Sequence, residues 1–247
     1  MDKQYRPRLS QFEWDLVRRS RRAKSPSAGN VLVIGDIHEP FCLDGYLDHC
    51  LQQKHEFDCS EVVFIGDVID SHYTSFHNQD PDGYGAGEEL DRAIDKIQQW
   101  HQSFPVAKVC KGNHDAIVRR KAFDSGISKV WIRDFDEVLG VEGWDFKEHH
   151  HIGDVLYVHG TGTSGRNAAA NKALQFGCSV VQGHIHTEAS VIYNGKHWGM
   201  QVGCGVDRKS YAMAYAKHFA KSYKLSCGVV LNEGKLPLVI PYLESGA

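Results

Sequence analysis

Five short apolar runs in this chain each lead into a glycine flanked by aspartate, asparagine or histidine. Val31–Ile34 runs into Gly35-Asp36-Ile37-His38, and Glu61–Ile65 into Gly66-Asp67-Val68-Ile69-Asp70. Val106–Cys110 precedes Gly112-Asn113-His114-Asp115, Val155–Val158 precedes His159-Gly160, and Ser179–Val181 precedes Gly183-His184-Ile185-His186. Runs of this length and composition suit strands covered on both faces. In an open α/β sheet the loops leaving the carboxyl ends of the strands converge on one crevice. The polar residues between Asp36 and His186, distant in sequence, are therefore expected to meet in one place, and glycine beside each permits close backbone approach.

Helical periods separate the first strands: Leu43–Gln53, Gly87–Gln102 and Ala116–Phe123, with Asn167–Phe176 further on. This βαβ rhythm loosens after Gly126. The later runs Ser190–Tyr193, Trp198–Val202, Cys227–Leu231 and Leu236–Pro241 lack helices between most of them and are expected to be antiparallel strands, with Asn232-Glu233-Gly234 as a hairpin turn. Two stretches carry no regular pattern, Ser71–Gly85 and Val206–Lys224. Both follow chemistry-bearing segments and are expected to be loops over a substrate. With 247 residues the body is expected to form one domain, 30–247, preceded by a basic helix and linker, 1–29. The helix is expected at 10–22, where Ser10 and Glu13 can form a capping box.

Charge is unevenly distributed. Residues 1–24 hold eight Lys/Arg against three Asp/Glu, leaving 20 against 28 in the remainder. An acidic body suits a carboxylate-built cation site and does not resemble a broad nucleic-acid surface. The seven cysteines are scattered, form no C-x-x-C pair and fit buried thiols in a reducing compartment. No apolar run is long enough to span a membrane, and the basic N-terminus lacks an apolar stretch behind it, so a cytoplasmic location is expected.

Imidazole and carboxylate together suit divalent Mn, Fe, Zn or Ni, and the absence of cysteine from the motifs argues against a structural zinc knot. A lone Asp-x-His or Gly-Asp is more often a turn than a ligand. Five such blocks in order are not explained that way. They match the pattern D-x-H, G-D, G-N-H-(D/E), H and G-H-x-H, and over roughly residues 30–242 the chain resembles the calcineurin-like metallophosphoesterase superfamily. That resemblance implies a four-layer α/β/β/α sandwich of two mixed sheets. It also implies two divalent ions, Mn before Fe, Zn or Ni. Asp36, His38 and His186 would bind the first, Asn113, His159 and His184 the second, and Asp67 would bridge them. The implied reaction is hydrolysis of a phosphodiester or phosphomonoester by in-line attack of a hydroxide bridging the two ions.

His114 is left outside the ligand set. Beside Asn113 and followed by Asp115, it suits a general acid oriented by the Asp115 carboxylate. The chain departs from serine/threonine protein phosphatases, which carry G-D-x-V-D-R-G and G-N-H-E: here Ser71-His72 follows Asp70 and Asp115 stands for glutamate. A protein phosphatase is disfavoured, and the features are similar to bacterial and phage-type members. Arg119, His72, His77 and the Asn113 amide are candidate substrate contacts. The expected partner is a phosphate ester, with a nucleotide or nucleic acid as the alternative through a nuclease reading. A non-catalytic scaffold is disfavoured because the ligand set is complete. His149-His150-His151 is expected to be a solvated edge.

Overall fold

A computed structural model describes residues 29–75, 80–216 and 222–243 of the chain. The expected basic helix at 10–22 and the candidate His77 lie outside these residues.

β1 (Asn30–Ile34) and β2 (Cys59–Phe64) flank α1 (Tyr46–Glu56), and α2 (Ala86–Ser103) leads to β3 (Ala107–Cys110). Next come α3 (Ile117–Asp124), α4 (Phe135–Leu139), β4 (Trp144–Lys147), β5 (His149–Ile152) and β6 (Val155–Val158). The chain continues through α5 (Ala168–Phe176), β7 (Ser179–Gln182), β8 (Ser190–Asn194), β9 (His197–Gln201), β10 (Ser226–Leu231) and β11 (Leu236–Pro241). One mixed sheet has the order β11-β10-β1-β2-β3-β4, the other β5-β6-β7-β9-β8. Strands β1 to β4 run parallel, and so do β6, β7 and β9.

Strand alternation explains the layering. Along β1, Leu32 and Ile34 face the helices and join Phe57, Phe64, Ile97 and Trp100. Val31 and Val33 face the other way and meet Tyr157, Val181 and Met200 of the second sheet. Ala173 of α5 packs on Leu156 and Val180, covering the second sheet's outer face. The result is helix, sheet, sheet, helix, the expected four layers. The α2 face is built from Ala93, Ile97 and Trp100 at helical spacing, and Glu88 and Glu89 in its first turn complement the dipole.

Several expectations are corrected. β9 pairs parallel with β7 because only β8 forms a hairpin with it, so the tail is not uniformly antiparallel. The first helix starts at Tyr46, behind a Gly45 held at a φ of 84°. β4, β5 and α4 were absent from the pattern. The triple-histidine run forms the edge strand β5, with His149 and His151 exposed and His150 buried.

Trp100 ties this core to the site. Its ring packs against Tyr46, Phe64 and Phe104, and its indole N–H donates to Glu39 Oε1 at 2.8 Å. Trp100→Ala is expected to cost about 3–5 kcal/mol, because the cavity comes with a buried carboxylate left short of a donor. Thermal unfolding should show a drop of roughly 10 °C.

Candidate metal centre

The site lies where the five strand-end loops meet between the two sheets. His38, Asp67 and His184 sit at left-handed φ values of 47°, 46° and 69°. A non-glycine residue held there stores local strain, which concentrates at functional sites. Close approach explains two of the glycines. A Cβ on Gly112 would lie 2.0 Å from Asp67 Oδ1, and one on Gly183 would lie 2.3 Å from Asp36 Oδ1.

The ligating atoms fall into overlapping triads. Asp36, His38 and His186 form one, Asp67, His159 and His184 another, and His38, Asp67 and His114 a third, with the ligating atoms of each within 4.8 Å of one another. His159 Nδ1 donates to the Ile65 carbonyl at 3.1 Å, which turns Nε2 toward Asp67 Oδ2 at 3.1 Å and Asn113 Oδ1 at 3.0 Å. His38 Nδ1 donates to Asp70 Oδ1 at 2.6 Å, which turns its Nε2 toward Asp67 Oδ2, 3.6 Å away. Both protons are assigned to Nδ1 because that nitrogen faces an acceptor, which leaves Nε2 turned to the site.

The electrostatics are those of a cation site. Asp36 Oδ1 and His38 Nε2 are buried and have no hydrogen-bond partner. Burial opposes ionisation of Asp67, but the charges of His159 and His114 and the hydrogen bond to His159 prevail and hold its carboxyl well below the ordinary range. Burial works against a charge on His159 too, yet Asp67 and Asp36 push it up to about 10. Converging oxygens of this kind need a positive charge among them, and the His159 proton supplies one here. His38 is held below its ordinary value by burial and by His114, and His184 by burial and by His159, so both keep the neutral form that metal binding requires. Neutral imidazoles, ionised buried carboxylates and unpartnered acceptors together fit divalent cations.

Asp115 does not orient His114. Its carboxylate accepts from the backbone N–H groups of Val68 at 2.9 Å, Ile69 at 3.3 Å and Gly112 at 2.8 Å, clamping two site loops together. Burial and nearby Asp67 push it up to about 7. The orienting residue is Asp70. His114 Nδ1 donates to the Asp70 carbonyl at 2.6 Å and lies 3.4 Å from Asp70 Oδ1. The spacing Asp67-x-x-Asp70 was visible in the sequence, but only the fold shows one residue serving both His38 and His114.

The other candidate contacts are spread out. His72 is buried, 4.0 Å from Asp70 Oδ2 and edge-on to Tyr211, so it sits behind the site. Arg119 is bound to the Asp134 carboxylate and the Arg133 carbonyl. It lines a neighbouring cleft of about 620 Å³ that includes Asn113. The pocket over the triads, about 450 Å³, is lined by Asp67, Asn113, His114, His184 and His186, and by Thr163, Ser164, Gly165 and Tyr223, which the sequence had not singled out. The two patternless stretches touch one another. The Tyr84 N–H donates to the Tyr211 hydroxyl at 2.9 Å, and both rings pack on Phe41.

A family model described as calcineurin-like phosphoesterase matches residues 29–201. The chain belongs to this family. Among solved structures, a metallophosphoesterase from Sphaerobacter thermophilus is similar, with a TM-score of 0.50, 13% identity, and coverage of 89% of this chain and 90% of that one. An archaeal phosphodiesterase gives 0.47 at 14% identity, covering 86% and 99%. Vacuolar Protein Sorting 29 from Cryptosporidium parvum gives 0.49 at 14%, covering 90% and 94%. No curated protein matches. As in the calcineurin-like pattern, the D-x-H, G-D, G-N-H, H and G-H-x-H residues come together in one pocket of this chain. Among its described helices none is long and apolar enough to cross a membrane.

Gly183 offers a local test. Gly183→Ala forces a methyl against Asp36 Oδ1 and Ile65 Cγ2, at 2.3 and 2.5 Å. It is expected to weaken Mn binding by ~10–100-fold, the usual cost of disturbing a ligand's support. Calorimetric titration with Mn, alongside an unchanged circular dichroism spectrum, checks this.

Proposed function

We propose that this chain hydrolyses phosphate diesters at a dinuclear metal centre. The observation that carries the reading is the convergence of Asp36, His38, Asp67, His159, His184 and His186, from separate strand ends, into ligand triads that share Asp67 and His38. Asp36, His38 and His186 would hold one cation, Asn113, His159 and His184 the other, and Asp67 would belong to both. When bound, such a pair supplies Lewis acidity, activating water at neutral pH and offsetting charge on the phosphoryl oxygens. Mn is the favoured occupant, on the mixed imidazole and carboxylate donor set.

The protein's own groups do the rest. Asp70 holds the His38 ring through its carboxylate and the His114 ring through its carbonyl. A carbonyl can only accept, so Nδ1 of His114 keeps its proton and Nε2 is the nitrogen that exchanges one. We assign His114 the delivery of that proton to the departing oxygen. Asp115 keeps the loops at Val68 and Gly112 in register, a positioning role rather than a chemical one.

Preference for diesters is supported by the lining of the pocket. Among the described residues, no lysine or arginine lines it. A phosphomonoester dianion brings extra charge that such a pocket leaves unmatched, whereas a diester carries one charge. With Mn added, bis-p-nitrophenyl phosphate is expected to be hydrolysed faster than p-nitrophenyl phosphate, and EDTA should abolish both. Metal binding with no turnover of either substrate would sink the enzymatic reading in favour of a scaffold.

A further inference from the structure

Behind one wall of the metal pocket lies a buried polar network that the proton and metal chemistry leaves unused. Gln182 at the end of β7 and Gln201 at the end of β9 pair in register and are 0% and 1% exposed. Amides buried this deeply are costly unless they are hydrogen-bonded. Most of their partners come from a single loop, residues 160–166. Gln201 Nε2 donates to the carbonyls of Gly165 at 3.1 Å and Arg166 at 2.8 Å. Gln182 Nε2 donates to Gln201 Oε1 at 3.4 Å and to Thr163 Oγ1 at 3.3 Å.

The loop so held starts directly after the candidate ligand His159, and its Thr163, Ser164 and Gly165 line the pocket. Lys172 of α5 completes the network. Its Nζ donates to Thr163 Oγ1 and to Gln182 Oε1, both at 3.3 Å. Thr163 gives its own proton to the Gly160 carbonyl at 2.6 Å, so its oxygen meets the ammonium and the Gln182 amide as an acceptor.

Charge makes this more than a brace. Lys172 is half-buried, and among the described residues no carboxylate pairs with its ammonium. A cation partly removed from water and left without an acid is costly, and an anion brought near it offsets that cost. Asp67, the acid that lines the pocket, is matched by His159 and belongs to the cation site. Arg166, the loop's own cation, is exposed and lines no part of the pocket. The Lys172 charge, by contrast, stands one hydrogen bond behind the pocket wall at Thr163. We propose that Lys172 is a positioning residue for the substrate: through Thr163 it fixes loop 160–166 and sets one positive charge behind it, where the loop receives the singly charged phosphate of a diester. The role toward substrate rests on the phosphoesterase reading above; the anchoring of the loop does not.

Lys172→Met and Lys172→Arg, compared with the wild type in the full chain with Mn, test this. Lys172→Met should raise KM for bis-p-nitrophenyl phosphate about tenfold while kcat stays within about twofold, the mark of a lost binding interaction with a charged donor. Lys172→Arg keeps the charge and the donors and should stay near the wild type. Raising KCl from about 50 to about 500 mM should raise the wild-type KM and barely move that of Lys172→Met. Mn affinity by calorimetry should be equal in all three. Independently of turnover, hydrogen exchange of the 160–166 amides in EDTA should be faster in Lys172→Met than in the wild type. The proposal is overturned if KM and exchange in Lys172→Met match the wild type, if kcat or Mn affinity falls while KM holds, or if Lys172→Arg loses as much as Lys172→Met. A wild type that hydrolyses nothing, with loop exchange still dependent on Lys172, sinks the phosphoesterase and leaves the anchored loop standing. Hydrolysis with KM and exchange indifferent to Lys172 does the opposite.

Discussion

His114→Ala is expected to keep its bound Mn while losing turnover on diesters with poor leaving groups by ~10²–10⁴-fold. The loss should be far smaller for bis-p-nitrophenyl phosphate, whose nitrophenolate departs without needing a proton. That contrast between substrates is the signature of proton delivery. His114 also lies within 4.8 Å of the ligating atoms of His38 and Asp67, so geometry alone permits a ligand role. Metal analysis of the purified variant separates the two. If Mn content falls with activity, and both substrates suffer equally, His114 is a ligand and the acid must be sought elsewhere.

Asp67→Asn is expected to have the largest effect of any single change. Asp67 belongs to two of the three triads, and its carboxylate also accepts the backbone N–H of His114 at 2.8 Å. Asparagine keeps the shape and can keep that hydrogen bond, but it removes the charge. Losing several kcal/mol of charge stabilisation corresponds to ~10³-fold or more in turnover. Mn binding at both positions should weaken together, as calorimetry would register. Loss of one Mn with the other retained at wild-type affinity would show that Asp67 serves a single cation.

Much of this site was legible because its residues sit at strand ends, where composition and position coincide. Val31–Ile34 reads as a buried strand, and the residues leaving a buried strand in an open sheet are constrained to one edge. The second sheet was harder to read. β5 is a short edge strand whose three histidines carry no apolar alternation, and it is defined by its pairing with β6. β9 lies between β7 and β8, an order that tertiary packing decides and that no local pattern reports. Asp115 shows the limit most clearly. Adjacency to His114 in sequence suggested a shared task, but the turn after Gly112 sends the two side chains to different partners, Asp115 to backbone amides and His114 to Asp70. Arg119 and His72 were reasonable choices by residue type. Whether either faces the triads depended on crowding around Asp70 and on Asp134, which pattern alone does not describe.

The aromatic junction of Phe41, Tyr84 and Tyr211 joins segments from three distant parts of the polypeptide and shares an apolar cluster with Tyr223, which lines the pocket. The segments that carry Tyr84 and Tyr211 cannot separate while the Tyr84 amide and the Tyr211 hydroxyl remain bonded. A bulky guest that displaces Tyr223 must therefore disturb both segments together. Truncating Tyr211 should loosen both segments and the packing behind Tyr223 at once, and broaden the range of molecules admitted.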